Sequence, residues 1–131
     1  MYRIKNVVSL DGAAESASFD EAKVRHLSTL SPDERAEIAF IMDAQEMFQA
    51  VKDMRKNGLT LQVVYHSHPH DPARPSVTDI KIANEWEDNW ARLNLAMPIY
   101  LLISLMDKSH PDIRPYWIKG GMVSSASMTA C

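Results

Sequence analysis

The chain has 131 residues, of which 46% are hydrophobic and 24% are charged, and its formal net charge at pH 7 is −3. This length and this apolar content suffice for one globular domain with a core, and they exclude intrinsic disorder of the whole chain. The slightly acidic balance argues against nucleic acid as a partner, and the longest apolar run, residues 96–106, is too short to cross a membrane.

The N-terminal third of the chain predicts short elements around a long loop. Residues 2–8 alternate enough to predict a strand, whereas residues 9–30 have no clear period and predict a flexible loop. The run Ser-Pro-Asp-Glu at residues 31–34 is typical of a helix start, with a capping serine and a proline in the first turn. The apolar residues 38–42 then predict a buried strand.

The clearest helix is predicted over residues 44–57. Asp43 can cap its N terminus, Glu46 follows three residues later, and Gly58 can end the helix. Four apolar side chains share one face of this helix at the spacing that predicts burial, namely Met47, Ala50, Val51 and Met54.

The second half of the chain predicts three strands and a second long helix. Residues 59–65 are rich in strand-forming types, and a helix begins near Ser76. Its apolar side chains recur at helical spacing, at Val77, Ile80, Ala83, Trp86 and Trp90. The unbroken apolarity of residues 98–106 predicts a strand buried on both faces, residues 114–119 predict a last strand, and residues 120–131 predict a frayed tail.

These elements predict an α/β fold with a mixed sheet and helices packed against it. No internal repeat or second domain is visible, so a single domain is expected over residues 1–119. Cys131 is the one cysteine of the chain, and the N terminus has no basic start followed by a long apolar stretch. An internal disulfide is therefore impossible, and a reducing, cytoplasmic setting is expected.

The chemically informative segment runs from the predicted strand into the second long helix. His66 and His68 are two residues apart, so an extended backbone points both imidazoles to the same side. The loop at residues 69–75 holds three prolines, and it can fold Asp79, in the first turn of the helix, back toward the histidines. Two nitrogens and one oxygen leave the fourth position of a tetrahedral ion open, as in catalytic zinc sites.

Each part of this pattern also has an ordinary structural interpretation. A His-x-His pair is common on any strand, and Ser76 with Asp79 forms a plain capping box at a helix start. Capping and metal binding are compatible for Ser76, but they compete for the carboxylate of Asp79. His70 is disfavoured as a third imidazole ligand because Pro69 redirects the chain. The joint pattern favours the metal site.

The complete pattern resembles the signature of the JAMM (MPN+) zinc metallopeptidases and has, in this chain, the form His66-x-His68-x7-Ser76-x2-Asp79. The resemblance covers roughly residues 2–119 and is strongest over residues 43–106. It implies the cytidine-deaminase-like α/β fold of MPN domains, with a mixed sheet flanked by helices.

The resemblance also implies roles for these residues. His66, His68 and Asp79 would hold Zn²⁺, and Ser76 would orient or stabilise the oxyanion that forms when water attacks an amide carbonyl. Members of this family cleave amide bonds at the C-terminal tails of ubiquitin or ubiquitin-like proteins, and small bacterial-type members act on sulfur-carrier proteins of that fold. Such a tail is the expected partner.

One departure from the family concerns the general base. The family carries a glutamate on an early strand that would precede Met1 here, so an N-terminally truncated domain is expected. Five glutamates of this chain are candidates for the base, but none lies on an apolar strand like that of the family: Glu15, Glu21, Glu34, Glu37 and Glu46. Glu15, in the flexible loop, is retained only as a weak substitute. Without the early helix and strand, self-association through an uncovered sheet edge is expected.

Three functions remain open at this point. The first is a zinc peptidase or isopeptidase. The second is a catalytically impaired binding module of the same fold, which the missing glutamate favours and the intact ligand set disfavours. The third is an iron oxygenase with two histidines and one carboxylate, which is weaker because such sites usually lie in all-β barrels, whereas this segment runs strand, loop, helix.

Overall fold

The computed structural model describes residues 1–4, 21–31 and 42–129. The chain forms two compact units, Met1–Leu61 and Gln62–Cys131, so the single domain expected over residues 1–119 stays a prediction. The described residues of the first unit include two helices, α1 (Glu21–Ser28) and α2 (Ala44–Lys56). The second contains, in chain order, β1 (Val63–His68), α3 (Val77–Arg92), β2 (Ile99–Ser104), β3 (Asp112–Lys119) and β4 (Met122–Ser125).

Helix α2 confirms the prediction made from its spacing. The side chain of Asp43 accepts a hydrogen bond from the backbone N–H of Glu46 at 3.0 Å, which caps the first turn. Gly58 follows the helix with φ of +69°, a conformation that glycine adopts without steric cost. The four predicted apolar residues of the stripe are all buried: Met47, Ala50, Val51 and Met54.

Helix α1 corrects the flexible loop predicted over residues 9–30, because residues 21–28 are helical. The physical reason lies in the charges at its two ends. Glu21 occupies the first turn and Arg25 and His26 the last, so both ends complement the helix dipole. Leu27 alone is buried in this helix, and one buried position gives no detectable period. Residues 9–20 of the predicted loop lie outside the described residues.

The second unit is built on a mixed four-stranded sheet with the strand order β1-β2-β3-β4. Strands β1 and β2 are parallel and aligned from Val63 opposite Ile99 to His68 opposite Ser104. The other two pairs, β2 with β3 and β3 with β4, are antiparallel. The mixed α/β architecture expected from the sequence is confirmed.

Helix α3 makes the crossover between the two parallel strands and packs against the sheet. Ala83 of the helix forms a core with Tyr100 and Ile118, while the indole N–H of Trp90 donates to the Tyr100 hydroxyl at 3.1 Å. Trp86 and Trp90 lie with ring centroids 4.9 Å apart. Val77 was predicted as part of the buried stripe but is 70% exposed, because it occupies the first turn of the helix.

Two predicted strands have different properties in the structure. The strand expected at residues 59–65 begins only at Val63 and continues to His68, because β2, its pairing partner, begins at Ile99. Strand β2 was expected to be buried on both faces. Its side chains instead alternate between fully and half-buried, and the buried face is the one that contributes Tyr100 to the core under α3.

Strand β4 corrects the frayed tail predicted for residues 120–131. Gly120 and Gly121 both have positive φ, +56° and +77°, which is the geometry of a tight hairpin turn. The turn leads the chain back along β3, with Met122 opposite Lys119. The turn is also attached to α3, since the backbone N–H groups of the two glycines donate to Glu87 and Asn84, respectively.

The remaining predictions fall partly outside the described residues. Residues 2–4 are in no regular element, and the rest of the strand predicted at 2–8 is not described; the same holds for most of the helix start at 31–34 and the strand at 38–42. Strand β1 is an edge strand of the sheet as described, and self-association through it stays a prediction. In the described part of the chain, no helix combines the length and the apolarity needed to cross a membrane.

Candidate metal centre

Strand β1 presents the two histidines on one face. His66 and His68 alternate with Ser67, which is exposed on the opposite face, because successive side chains of a strand point to opposite sides. The side chains of His66 and His68 are 18% and 12% exposed. Both imidazoles are therefore largely shielded by protein, while an opening to solvent remains.

The N terminus of α3 supplies the carboxylate. Ser76 is the N-cap, and its hydroxyl accepts a hydrogen bond from the Asp79 backbone N–H at 3.1 Å. In return, Asp79 Oδ2 accepts from the Ser76 backbone N–H at 2.8 Å, which completes the predicted capping box. Asp79 is 7% exposed, so the capping box holds a buried carboxylate in one orientation.

The side chains of His66, His68 and Asp79 converge in the second unit. His66 Nε2 lies 3.1 Å from Asp79 Oδ1, and His68 Nε2 lies 3.1 Å from Asp79 Oδ2. The two Nε2 atoms are 3.2 Å apart. The carboxylate of Asp79 serves the capping box and faces both histidines at once, while its expected competition with a bound metal ion stays a prediction.

These separations are close to the distance between neighbouring donor atoms in a tetrahedral zinc site. Ligand bonds of ~2.0–2.1 Å in tetrahedral geometry place neighbouring donor atoms about 3.3 Å apart. Among the described residues, these three side chains are the one group of His, Cys, Asp or Glu that could hold a metal ion. Two neutral imidazoles and one carboxylate carry a single negative charge, so the donor set suits a divalent cation.

A backbone carbonyl fixes which nitrogen of His68 faces the cluster. His68 Nδ1 lies 2.8 Å from the carbonyl oxygen of Pro72, and a carbonyl oxygen can only accept a hydrogen bond. Nδ1 therefore carries a hydrogen. Nε2, the nitrogen that faces Asp79, donates to the carboxylate when the ring is protonated and can offer its lone pair to a metal ion when the ring is neutral. Metal-binding histidines in proteins usually have such a partner behind the ring.

Ionisation in the cluster follows from the same contacts. Burial of Asp79 opposes its ionisation, but hydrogen bonds from His66 and His68 outweigh burial and lower the pKa of the carboxyl. The hydrogen bond to Asp79 raises the pKa of His68 above its ordinary value of 6.5, against the opposing effect of burial. Without a metal ion, the cluster therefore retains a proton on the imidazole side and a negative charge on Asp79.

These pKa shifts predict how the stability of the metal-free protein depends on pH. The raised pKa of His68 stabilises the fold below the ordinary pKa of 6.5, and this contribution disappears as the pH rises through the folded-state pKa. The lowered pKa of Asp79 stabilises the fold above the ordinary value of 3.8, and this is lost only in strong acid. In excess chelator, we expect the free energy of unfolding to fall between pH 6 and pH 9.

Denaturant titrations of the metal-free protein across this range measure the effect. The variant His68→Gln serves as the control, because it lacks the titrating imidazole and its slope should be smaller. A free energy of unfolding that rises between pH 6 and pH 9 in the wild type would contradict the prediction.

Ser76 lies beside the cluster and keeps a free hydrogen-bonding function. Its hydroxyl accepts from the Asp79 backbone N–H, and a hydroxyl that accepts still has its own hydrogen to donate. The residue is exposed, so this hydrogen can reach a ligand that approaches the cluster from solvent.

The glutamates considered as general bases divide into two groups. Glu21 and Glu46 are exposed on α1 and α2 and do not belong to the cluster, while the others lie outside the described residues: Glu15, Glu34 and Glu37. His70 is exposed and is also not part of the cluster.

Two residues that contact the loop between the histidines and Asp79 are not predictable from the sequence. Ser104 Oγ donates to the carbonyl oxygen of Asp71 at 2.7 Å, and the Tyr116 hydroxyl donates to that of Ala73 at 2.5 Å. Their partners are 33 and 43 positions away in the chain, and a sequence pattern carries no signal for such contacts.

Comparisons with known proteins point to one family. The family described as prokaryotic homologs of the JAB domain, the domain of JAMM/MPN proteins, matches residues 11–119. The chain is 29% identical over 100 residues to a CysO-cysteine peptidase of Mycobacterium tuberculosis, and this match covers 76% of the chain and 61% of the relative.

A second relative has higher identity over a shorter segment. It comes from Thermus thermophilus, is named "Probable TtuB-protein conjugate cleaving protease", and is 44% identical over 45 residues. This match covers 34% of the chain and 30% of the relative, so the chain spans less than two thirds of either relative. No solved structure matches the chain significantly.

Proposed function

Because the chain belongs to the JAMM/MPN family of prokaryotic JAB-domain homologs, we propose that it is a zinc-dependent peptidase. Its substrate would be an amide bond at the C-terminal tail of a ubiquitin-like or sulfur-carrier protein. The observation that carries this proposal is the convergence of His66, His68 and Asp79, whose facing atoms are 3.1–3.2 Å apart.

The residues of the chain would divide the work as follows. His66, His68 and Asp79 would hold the ion, which supplies a water of lowered pKa and polarises the amide carbonyl. The hydroxyl of Ser76 would donate a hydrogen bond to the carbonyl oxygen, which becomes negatively charged as the amide carbon turns tetrahedral. The capping box would fix the positions of the Ser76 and Asp79 side chains relative to each other, because each accepts a hydrogen bond from the backbone N–H of the other.

The substrate class is supported by the names of the relatives. One is named as a peptidase acting on CysO-cysteine and the other as a protease cleaving conjugates of TtuB. We propose a related tail as the substrate here, in the cytoplasm, a setting that a chain with one cysteine fits.

Metal analysis combined with a cleavage assay tests the proposal. The purified chain should contain one zinc ion per molecule and should release the C-terminal cysteine or peptide from a sulfur-carrier substrate, as followed by mass spectrometry. A chelator should lower the rate at least ~100-fold, and added zinc should restore it, because the ion supplies several kcal/mol of transition-state stabilisation. A cleavage rate unaffected by metal removal would contradict zinc dependence.

A second candidate function is a binding module for ubiquitin-like tails. The cluster contains no glutamate among the described residues, and a missing general base typically lowers the rate by about 10²–10⁴. Stoichiometric zinc, tail binding and no turnover on any substrate would support the module and contradict the peptidase.

A further inference from the structure

The loop between β1 and α3 is held by hydrogen bonds from all three neighbouring strands. Three successive carbonyl oxygens of the loop accept these bonds. The carbonyl of Asp71 accepts from Ser104 of β2 at 2.7 Å, and that of Pro72 accepts from His68 of β1 at 2.8 Å. The carbonyl of Ala73 accepts from Tyr116 of β3 at 2.5 Å. The loop has no regular structure, but each of these carbonyls is hydrogen-bonded to a strand. The loop therefore has little freedom to rearrange.

The contacts of Ser104 and Tyr116 lie on either side of the contact of His68. Pro72 O, the acceptor for the imidazole, is flanked by the two carbonyls that the strand hydroxyls hold. Pro72 O also accepts the backbone N–H of Arg74 at 2.8 Å, so it is fixed within the loop as well. The position of Pro72 O relative to β1 therefore depends on the hydroxyls of Ser104 and Tyr116.

The burial of these groups strengthens the case. Ser104 is 5% exposed and is directly opposite His68 in the register of the sheet, and Ala73 is 1% exposed. Without its strand partner, either the Asp71 or the Ala73 carbonyl would lose a hydrogen bond, and the buried Ala73 site admits little water in exchange. The loop would then shift to find new partners, and Pro72 O would move with it.

We infer that Ser104 and Tyr116 are positioning residues for the metal centre, which act through Pro72 O to hold the imidazole of His68 with Nδ1 protonated and Nε2 facing the cluster. The hydroxyls of both residues donate to loop carbonyls rather than to the cluster itself. The part of this inference that concerns zinc rests on the proposed function, whereas the part that concerns the His68 tautomer does not.

The experiment compares isosteric variants by two independent readouts. Tyr116→Phe and Ser104→Ala each remove one hydroxyl, and zinc affinity is measured by competition with a chromophoric chelator. We expect each variant to bind zinc about 10–100-fold more weakly, the range that loss of a partner behind a metal ligand typically produces. In the metal-free protein, nitrogen-15 NMR of the neutral His68 ring should show a shift from the Nδ1–H toward the Nε2–H tautomer.

The chain offers a matched control for each variant. Tyr100→Phe removes a tyrosine hydroxyl directly opposite Tyr116 in the sheet, but that hydroxyl contacts Trp90 rather than the loop. Ser67→Ala removes an exposed hydroxyl between the two histidines on the other face of β1. Both controls should bind zinc within about twofold of the wild type and keep the His68 tautomer.

The double variant tests whether both hydroxyls act on the same loop. If one lost hydroxyl already releases Pro72 O, the loss of affinity in Ser104→Ala/Tyr116→Phe should be smaller than the product of the two single losses. Zinc affinity and tautomer equal to wild type in a folded Tyr116→Phe variant would overturn the inference. If the wild type bound no zinc, the proposed function would fail, and the tautomer measurement would still support or overturn the role of the two residues.

Discussion

Asp79→Asn is expected to abolish stoichiometric zinc binding and to lower peptidase activity by on the order of 10³-fold. The carboxamide has the shape of the carboxylate and can still accept the Ser76 backbone N–H, so the capping box and α3 are retained. It lacks the negative charge that both imidazoles face at 3.1 Å. A loss of about 4 kcal/mol in transition-state stabilisation corresponds to this change in rate.

Zinc titration, circular dichroism and the cleavage assay check this expectation together. Asp88→Asn is the matched control, since it removes the same charge from another position of the same helix, outside the cluster, and should leave zinc binding and activity unchanged. Wild-type zinc affinity in a folded Asp79→Asn variant would contradict the assignment of Asp79 as a ligand.

Ser76→Ala is expected to lower kcat by about 10²–10³-fold while zinc remains bound, because one donor to the developing oxyanion is lost. The same substitution removes the N-cap of α3 and should lower the free energy of unfolding by about 1 kcal/mol. KM should change little, since the lost contact forms only in the transition state.

Two further variants separate catalysis from capping. Ser76→Gly also lacks the hydroxyl, but glycine at an N-cap costs only about a few tenths of a kcal/mol, so kcat should fall without a comparable loss of stability. Ser76→Thr keeps a hydroxyl and should retain most of the activity. If Ser76→Gly has the kcat of the wild type, Ser76 is a capping residue and takes no part in catalysis.

The sequence predicted the parts of the structure that depend on local patterns. Helix α2 has the predicted cap and buried stripe, and the capping box at Ser76 and Asp79 is formed as expected. The convergence of His66, His68 and Asp79 also followed from local rules, because the period of a strand and the first turn of a helix determine where these side chains point.

The unpredicted features depend on charge at short elements or on distant contacts. Helix α1 buries one apolar residue, so it has no hydrophobic period to detect. Strand β4 follows a two-glycine turn, and its own residues are exposed, so no buried stripe marks it in the sequence. The exposure of Val77 and the alternating burial of β2 depend on where α3 lies on the sheet. The composition of a segment does not encode that position.

The competition expected between capping and metal binding for Asp79 stays a prediction, and the geometry shows how one carboxylate can face both. A carboxylate has two oxygens with about four acceptor positions, and the structure uses Oδ2 for both the cap and His68 while Oδ1 faces His66. Helix capping and the orientation of this carboxylate toward the histidines therefore depend on each other. Any substitution that loosens the first turn of α3 is expected also to disturb the carboxylate that faces the histidines.

The hydroxyl contacts of Ser104 and Tyr116 have a consequence for biosynthesis. His68 and Asp79 are 11 positions apart, so His66, His68 and Asp79 leave the ribosome almost together. The contact of Tyr116 to the loop, in contrast, spans 43 positions. At ~5–20 residues per second, about 2–7 s pass between translation of Asp79 and of Tyr116. During that interval the nascent chain carries both histidines and Asp79 while the loop between them still lacks its contact to Tyr116, so we expect the native arrangement of the cluster to be completed only after β3 has been synthesised.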